Sequence, residues 1–258
     1  MLAIRLKSQS KRKRKPTIHR KACLTKKSVP QPSRHGSWIS PPAPRIAVGP
    51  PFLPISIAKK LKEMYPNPKT ELVFSNEMQL VVAVMLSAQT TDKKVNQVTP
   101  TLFRRYKTWG DFADADLKTL QKEIYGVNFH LGKADRLIKS GRYIIDNFNG
   151  KVPQKLIDLV KIPGVARKSA NVILQELWDI AEGIVVDTHV TRVSNRLGLT
   201  KQTDAVKIEK ELMNVIPKEY WRNFSGAVVL LGRYICVASK PRCSECGLNK
   251  LCPSAFVF

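Results

Sequence analysis

The sequence predicts an all-α protein, and three features carry that expectation. Ala170, Ile173, Leu174, Leu177 and Trp178 recur at i, i+3, i+4, i+7 and i+8, the spacing of one helical face. Segments alternating apolar and polar residues, as half-buried strands do, are nearly absent. Between the periodic stretches stand residues that start or stop helices, such as Thr91-Asp92 and the Pro163-Gly164 pair.

Residues 1–54 contribute none of this periodicity. They hold 9 of the 17 prolines, 13 of the 44 Lys+Arg, the run Lys11-Arg12-Lys13-Arg14-Lys15 and no acidic residue. Such a stretch cannot bury a core, so a basic, Pro-rich disordered tail is expected. It fits a nuclear-localisation-like patch, an organellar transit segment, an electrostatic DNA tether or a plain solvated tail.

Helical punctuation begins at Ile55. Leu80–Leu86 (LVVAVML) is apolar on nearly every side, as in a helix buried within a domain. Thr91 and Asp92 offer cap chemistry to the stretch KKVNQVTPTLFRRY that follows. Shorter amphipathic segments cover 115–125, 132–147 and 154–160, with Pro153 placed in a first turn where its missing N–H costs nothing. The 170–178 stripe comes next, with Lys168, Asn171 and Gln175 together on another face. Asp187 precedes the helical THVTRVSNRLGL, and helices over 205–216 and 224–235 complete the series.

The 258 residues carry a net charge of +24; without the tail, 31 basic and 20 acidic residues leave +11. A body basic in its own right implies a polyanionic partner, of which nucleic acid is the commonest. No apolar run approaches the ~20 residues a bilayer-spanning helix needs. A DNA-associated, intracellular monomer with no membrane partner is expected.

Two local patterns carry chemistry. Lys161–Asn171 (KIPGVARKSAN) reads as a Pro-Gly turn between helices, with Arg167 and Lys168 at the start of the second. Gly164 supplies backbone freedom, and the orphan amides of the turn and following helix can bind a phosphate oxygen, with Arg167 adding charge. On spacing alone, an ordinary turn is the commoner explanation, since Pro-Gly turns between helices are common. The other pattern is Cys236-x6-Cys243-x2-Cys246-x5-Cys252, with Cys23 outside it. One compact loop holding four thiols admits a zinc site or an iron–sulfur cluster. Lys240 and Arg242 lie between the first two cysteines on a loop stiffened by Pro241, suited to DNA phosphates.

KIPGVARKSANVIL resembles the helix-hairpin-helix of the endonuclease III family of DNA glycosylases, whose usual form is LPGVGRKTANVVL. The resemblance extends through Leu86-Ser87-Ala88-Gln89 and Val186-Asp187-Thr188-His189 to the four cysteines, covering about residues 57–253. Ala166 stands where the family usually has a second hairpin glycine; a positive φ there would cost alanine roughly 1 kcal/mol.

The resemblance implies a two-lobed fold: a helical barrel over 70–181 ending in the hairpin, and a cluster-bearing helical domain from 55–69 and 182–258. It implies that Cys236, Cys243, Cys246 and Cys252 hold a [4Fe–4S] cluster. It makes Lys168 a Schiff-base nucleophile, although a lysine at a helix start is ordinarily solvated or a phosphate contact. An amine attacks only when neutral, a state that desolvation or neighbouring cations favour. Asp187 is an ordinary N-cap by position and, by resemblance, a catalytic carboxylate as well. Gln89 fills the gap left by a flipped nucleotide, with Gly164, Ala166 and Arg167 on the phosphates. Asp92 matches a residue near the base pocket and is equally placed to cap. The loop Tyr125–Gly132 is two residues longer than the familiar form, so the resemblance assigns no second wedge.

The implied activity is excision of oxidised pyrimidines from duplex DNA, with strand cleavage 3′ to the abasic site by β-elimination. A monofunctional mismatch glycosylase is the nearest alternative, but those relatives generally lack a lysine at this position. A non-catalytic DNA-binding protein leaves Lys168 and Asp187 without purpose. An electron-transfer protein leaves the hairpin and the basic body unexplained.

Overall fold

The computed structural model describes residues 53–257; Cys23 and most of the basic tail lie outside them. Among the described residues there are eleven α-helices, two short 3-10 turns at 218–220 and 243–245, and no strand. The first helix, α1 (Leu53–Met64), takes in Leu53 and Pro54, two residues assigned to the tail from sequence. Proline is tolerated there because first-turn amides have no intrahelical acceptor.

The apolar residues gather into two cores. The first forms around α2 (Glu77–Ser87), where Leu80–Leu86 are at most 4% exposed. Asn76 starts this helix by accepting from the Gln79 amide. Around it stand α3 (Asp92–Arg105), α4 (Trp109–Ala113), α5 (Leu117–Glu123), α6 (His130–Phe148), α7 (Leu156–Leu159) and α8 (Arg167–Trp178). Thr91 caps α3, leaving Asp92 in its first turn with its carboxylate directed elsewhere. The five-residue α4 has no counterpart in the sequence reading. A reciprocal cap between Thr108 and Asp111 starts it, and Trp109 and Phe112 are buried. Helix α7 is shorter than the expected 154–160: its cap is Lys155, so Pro153 precedes the helix.

The second core joins α1 to α9 (Thr188–Arg196), α10 (Ala205–Val215) and α11 (Trp221–Tyr234), with Leu248 of the cysteine loop fully buried among them. Asn223 of α11 donates to the Tyr65 carbonyl at 2.7 Å, which ties the chain after α1 to this core across 158 positions. Ion pairs connect residues flanking the first core to the second: Arg167 with Glu209, Asp179 with Arg222, and Asp92 with Arg233.

Candidate active site

A cleft of about 400 Å³ lies between the two sets of helices, within the ~300–1,000 Å³ usual for small-molecule sites. Lys168, Asp187, Gln89, Asp92 and Ala166 all line it, although the sequence scatters them over 99 positions. Lys168 occupies the second position of α8 and is exposed. Its helix is held from behind by buried Ala170, Ile173 and Leu174. Asn171 and Gln175, which share a face with Lys168 in the sequence pattern, are 1% and 6% exposed. Gln175 donates from Nε2 to the Gly183 carbonyl at 3.0 Å, fixing the strand-like segment that leads to Asp187.

Asp187 is anchored on both sides. Ile184, Val185 and Val186 are buried before it, and the Val185 amide donates to the Ser225 hydroxyl at 2.9 Å. After it, Asp187 Oδ1 accepts from the Val190 amide at 2.8 Å as the N-cap of α9. One carboxylate oxygen therefore holds the helix, leaving the other oxygen for further bonding.

In the hairpin, Gly164 has φ +89, a left-handed conformation that side chains rarely adopt, so glycine is favoured there. Ala166 has φ −82 and ψ 165, extended backbone open to any residue. The strain expected from alanine at this position is absent. Among the described residues no side chain caps α8, so its first-turn amides can still take an external acceptor. The Arg167 guanidinium meets both Glu209 oxygens at 3.0–3.2 Å, so its charge reaches the second core as well as the turn.

The sequence reading missed Arg233 and Glu71. Arg233 joins Asp92 at 2.7 Å and Glu71 at 2.5 Å on the cleft wall. Burial opposes its charge, but Asp92 and Glu71 outweigh that and hold the guanidinium above its usual value. Glu71 is 162 positions from Arg233, beyond any local pattern. Glu176 also lines the cleft; burial pushes its carboxyl up, against the opposing Thr70 amide.

Cys236, Cys243, Cys246 and Cys252 line one pocket against Val193, Leu197 and Leu231, and no disulfide joins them. Burial pushes the Cys246 and Cys252 thiols up, while the Leu248 and Ser254 amides bond them and favour thiolate. Arg196 Nη1 lies 3.3 Å from Cys236 Sγ. Amide and guanidinium donors around sulfur suit thiolates that hold a cluster. On the same loop Lys240 is exposed, at φ +53. Arg242 is tethered, by Glu245 at 2.9 Å and by the Tyr234 carbonyl.

Residues 82–218 match the HhH-GPD superfamily of base excision DNA repair proteins. Endonuclease III of Synechocystis sp. is 46% identical over 195 residues, 76% of this chain and 89% of its own. Endonuclease III in a non-covalent complex with DNA superposes with a TM-score of 0.74 at 38% identity, covering 80% of this chain and 97% of that one. A trapped covalent endonuclease III–DNA intermediate with an estranged adenine superposes with a TM-score of 0.75 at 38% identity over the same shares.

Proposed function

We propose an activity from one premise: the chain belongs to the endonuclease III family, within the HhH-GPD superfamily of base excision DNA repair proteins. It is a bifunctional base excision repair enzyme, a DNA N-glycosylase for oxidised pyrimidines and an abasic-site lyase. Its partner is duplex DNA carrying a damaged base or an abasic site. What supports this reading most is that Lys168 and Asp187 line a single cleft with Gln89.

The DNA lies across the cleft, bound between a barrel lobe (70–181) and a cluster lobe (55–69 with 182–258). Gly164, Ala166 and Arg167 serve one phosphate through the open amides of α8 and the guanidinium; Lys240 and Arg242 serve others. Gln89 enters the space vacated by the flipped nucleotide. The neutral Lys168 amine forms a bond to the sugar C1′ as the bond from C1′ to the damaged base breaks. Asp187, fixed by its capping bond, takes the amine's proton and stabilises positive charge at the sugar. Return of that proton to the ring oxygen accompanies cleavage of the C1′–O4′ bond and leaves an iminium, which acidifies the C2′ proton. Loss of that proton breaks the C3′–O bond and nicks the strand, and water then releases Lys168. Duplex oligonucleotides carrying an oxidised pyrimidine should lose the base and be cut 3′ to it. Binding without cleavage, or excision confined to mismatches with no nick, contradicts this reading.

The four cysteines hold a [4Fe–4S] cluster. Its contribution is structural, stapling the 236–252 loop against α9 and α11, and no proton or sugar step needs it. Cys246→Ser should lower iron and sulfide content, depress the melting temperature by more than about 5 °C and weaken DNA binding. Full iron content with unchanged melting would remove Cys246 from the ligand set.

A further inference from the structure

The turn carrying Gln89 is held from beneath by a lysine that pairs with no carboxylate among the described residues. Lys133, near the start of α6, is 4% exposed. Its Nζ donates to the carbonyls of Leu86 and Ala88, each at 2.6 Å, and to the Thr90 hydroxyl at 3.2 Å. An ammonium has three donors and these are three acceptors, all neutral. Two of them are carbonyls at the end of α2, where an intrahelical partner is lacking and positive charge is favoured.

Between these anchors Gln89 sits at φ +56. A non-glycine residue in this left-handed region is strained and persists only where its surroundings impose it. Asn128 adds to that constraint: its backbone amide donates to the Thr90 hydroxyl and its side chain to the Gln89 carbonyl. Ala88 and Gln89 line both the catalytic cleft and a neighbouring groove formed with Phe129, His130, Leu131 and Arg136. Gln89 thus stands on the partition between two openings, exposed at its tip and fastened at its base.

We propose that Lys133 is a positioning residue for base excision: by bonding the turn at 86–90 it holds Gln89 in the left-handed conformation needed to occupy the gap in the duplex. This rests on the glycosylase reading above. The buried charge is kept because Lys133 spans three acceptors that no apolar side chain could satisfy together. Burial, with Arg136 nearby, pushes Lys133 down to about 8, the expected consequence of placing an ammonium among neutral groups.

The test uses the full chain on duplex DNA carrying an oxidised pyrimidine. Lys133→Met should lower kcat for base release about 10- to 100-fold with KM changed less than about threefold, the scale of an ångström-sized misplacement. In a Gln89→Ala background the same substitution should cost less than about threefold, since both act through one side chain. Asn128→Ala, at an exposed position, should lower kcat in the same direction and decides the matter if Lys133→Met melts below the assay temperature. Unchanged kcat in both single variants, or effects that multiply fully with Gln89→Ala, would overturn the proposal. A wild-type chain that releases no base sinks the functional reading and this inference together; an active wild type with indifferent variants sinks the inference alone.

Discussion

Lys168→Ala should yield a folded protein that binds abasic DNA and leaves it intact. The side chain is exposed, so the stability change should stay within about 0.5 kcal/mol. Alanine is also the best helix former, and the open amides of α8 are backbone groups that the substitution leaves in place. Affinity should fall less than about tenfold, because one cation among several phosphate contacts is lost. Strand cleavage, by contrast, should fall roughly 10³-fold or more, the scale on which enzymes lose rate when a covalent nucleophile is removed. Retained cleavage would assign the attacking nitrogen elsewhere.

Asp187→Asn should separate the two tasks that one carboxylate performs. Its Oδ1 caps α9 through the Val190 amide at 2.8 Å, and asparagine caps about as well as aspartate. Stability should therefore hold within about 0.5 kcal/mol for Asp187→Asn, whereas Asp187→Ala should lose about 1 kcal/mol. Base release should drop about 10²- to 10⁴-fold in both variants, because both lack the proton acceptor and its charge. Denaturant midpoints alongside single-turnover rates check the prediction. An Asp187→Asn protein at near wild-type rate would leave Asp187 a helix cap and nothing more.

Features set by neighbouring residues were legible in the sequence. The caps at Thr91 and Asp187, the apolar stripe of α8, the all-round burial of α2 and the crowding of four cysteines all depend on short spacings. Where the structure departs from the reading, the cause is tertiary. Asn171 and Gln175 read only as a polar face shared with Lys168, yet both are buried, with Gln175 bonded to the Gly183 carbonyl. The hairpin alanine looks costly, yet the chain reaches α8 in an extended conformation at that residue. Helix α4 is five residues long, too short for periodicity to register, and only its reciprocal cap marks it. The cleft wall built by Glu71, Asp92 and Arg233 and the lysine beneath Gln89 join residues 43 to 162 positions apart. Such pairs leave no trace in any window of sequence.

The central claim is covalent chemistry at one nitrogen. Incubating the wild-type chain with abasic duplex DNA under borohydride, digesting the product and sequencing the modified peptide addresses it directly. A reduced sugar adduct on Lys168 within the peptide around residues 162–178 is the expected result. An adduct on another amine, or no adduct while the strand is still cut, would contradict it.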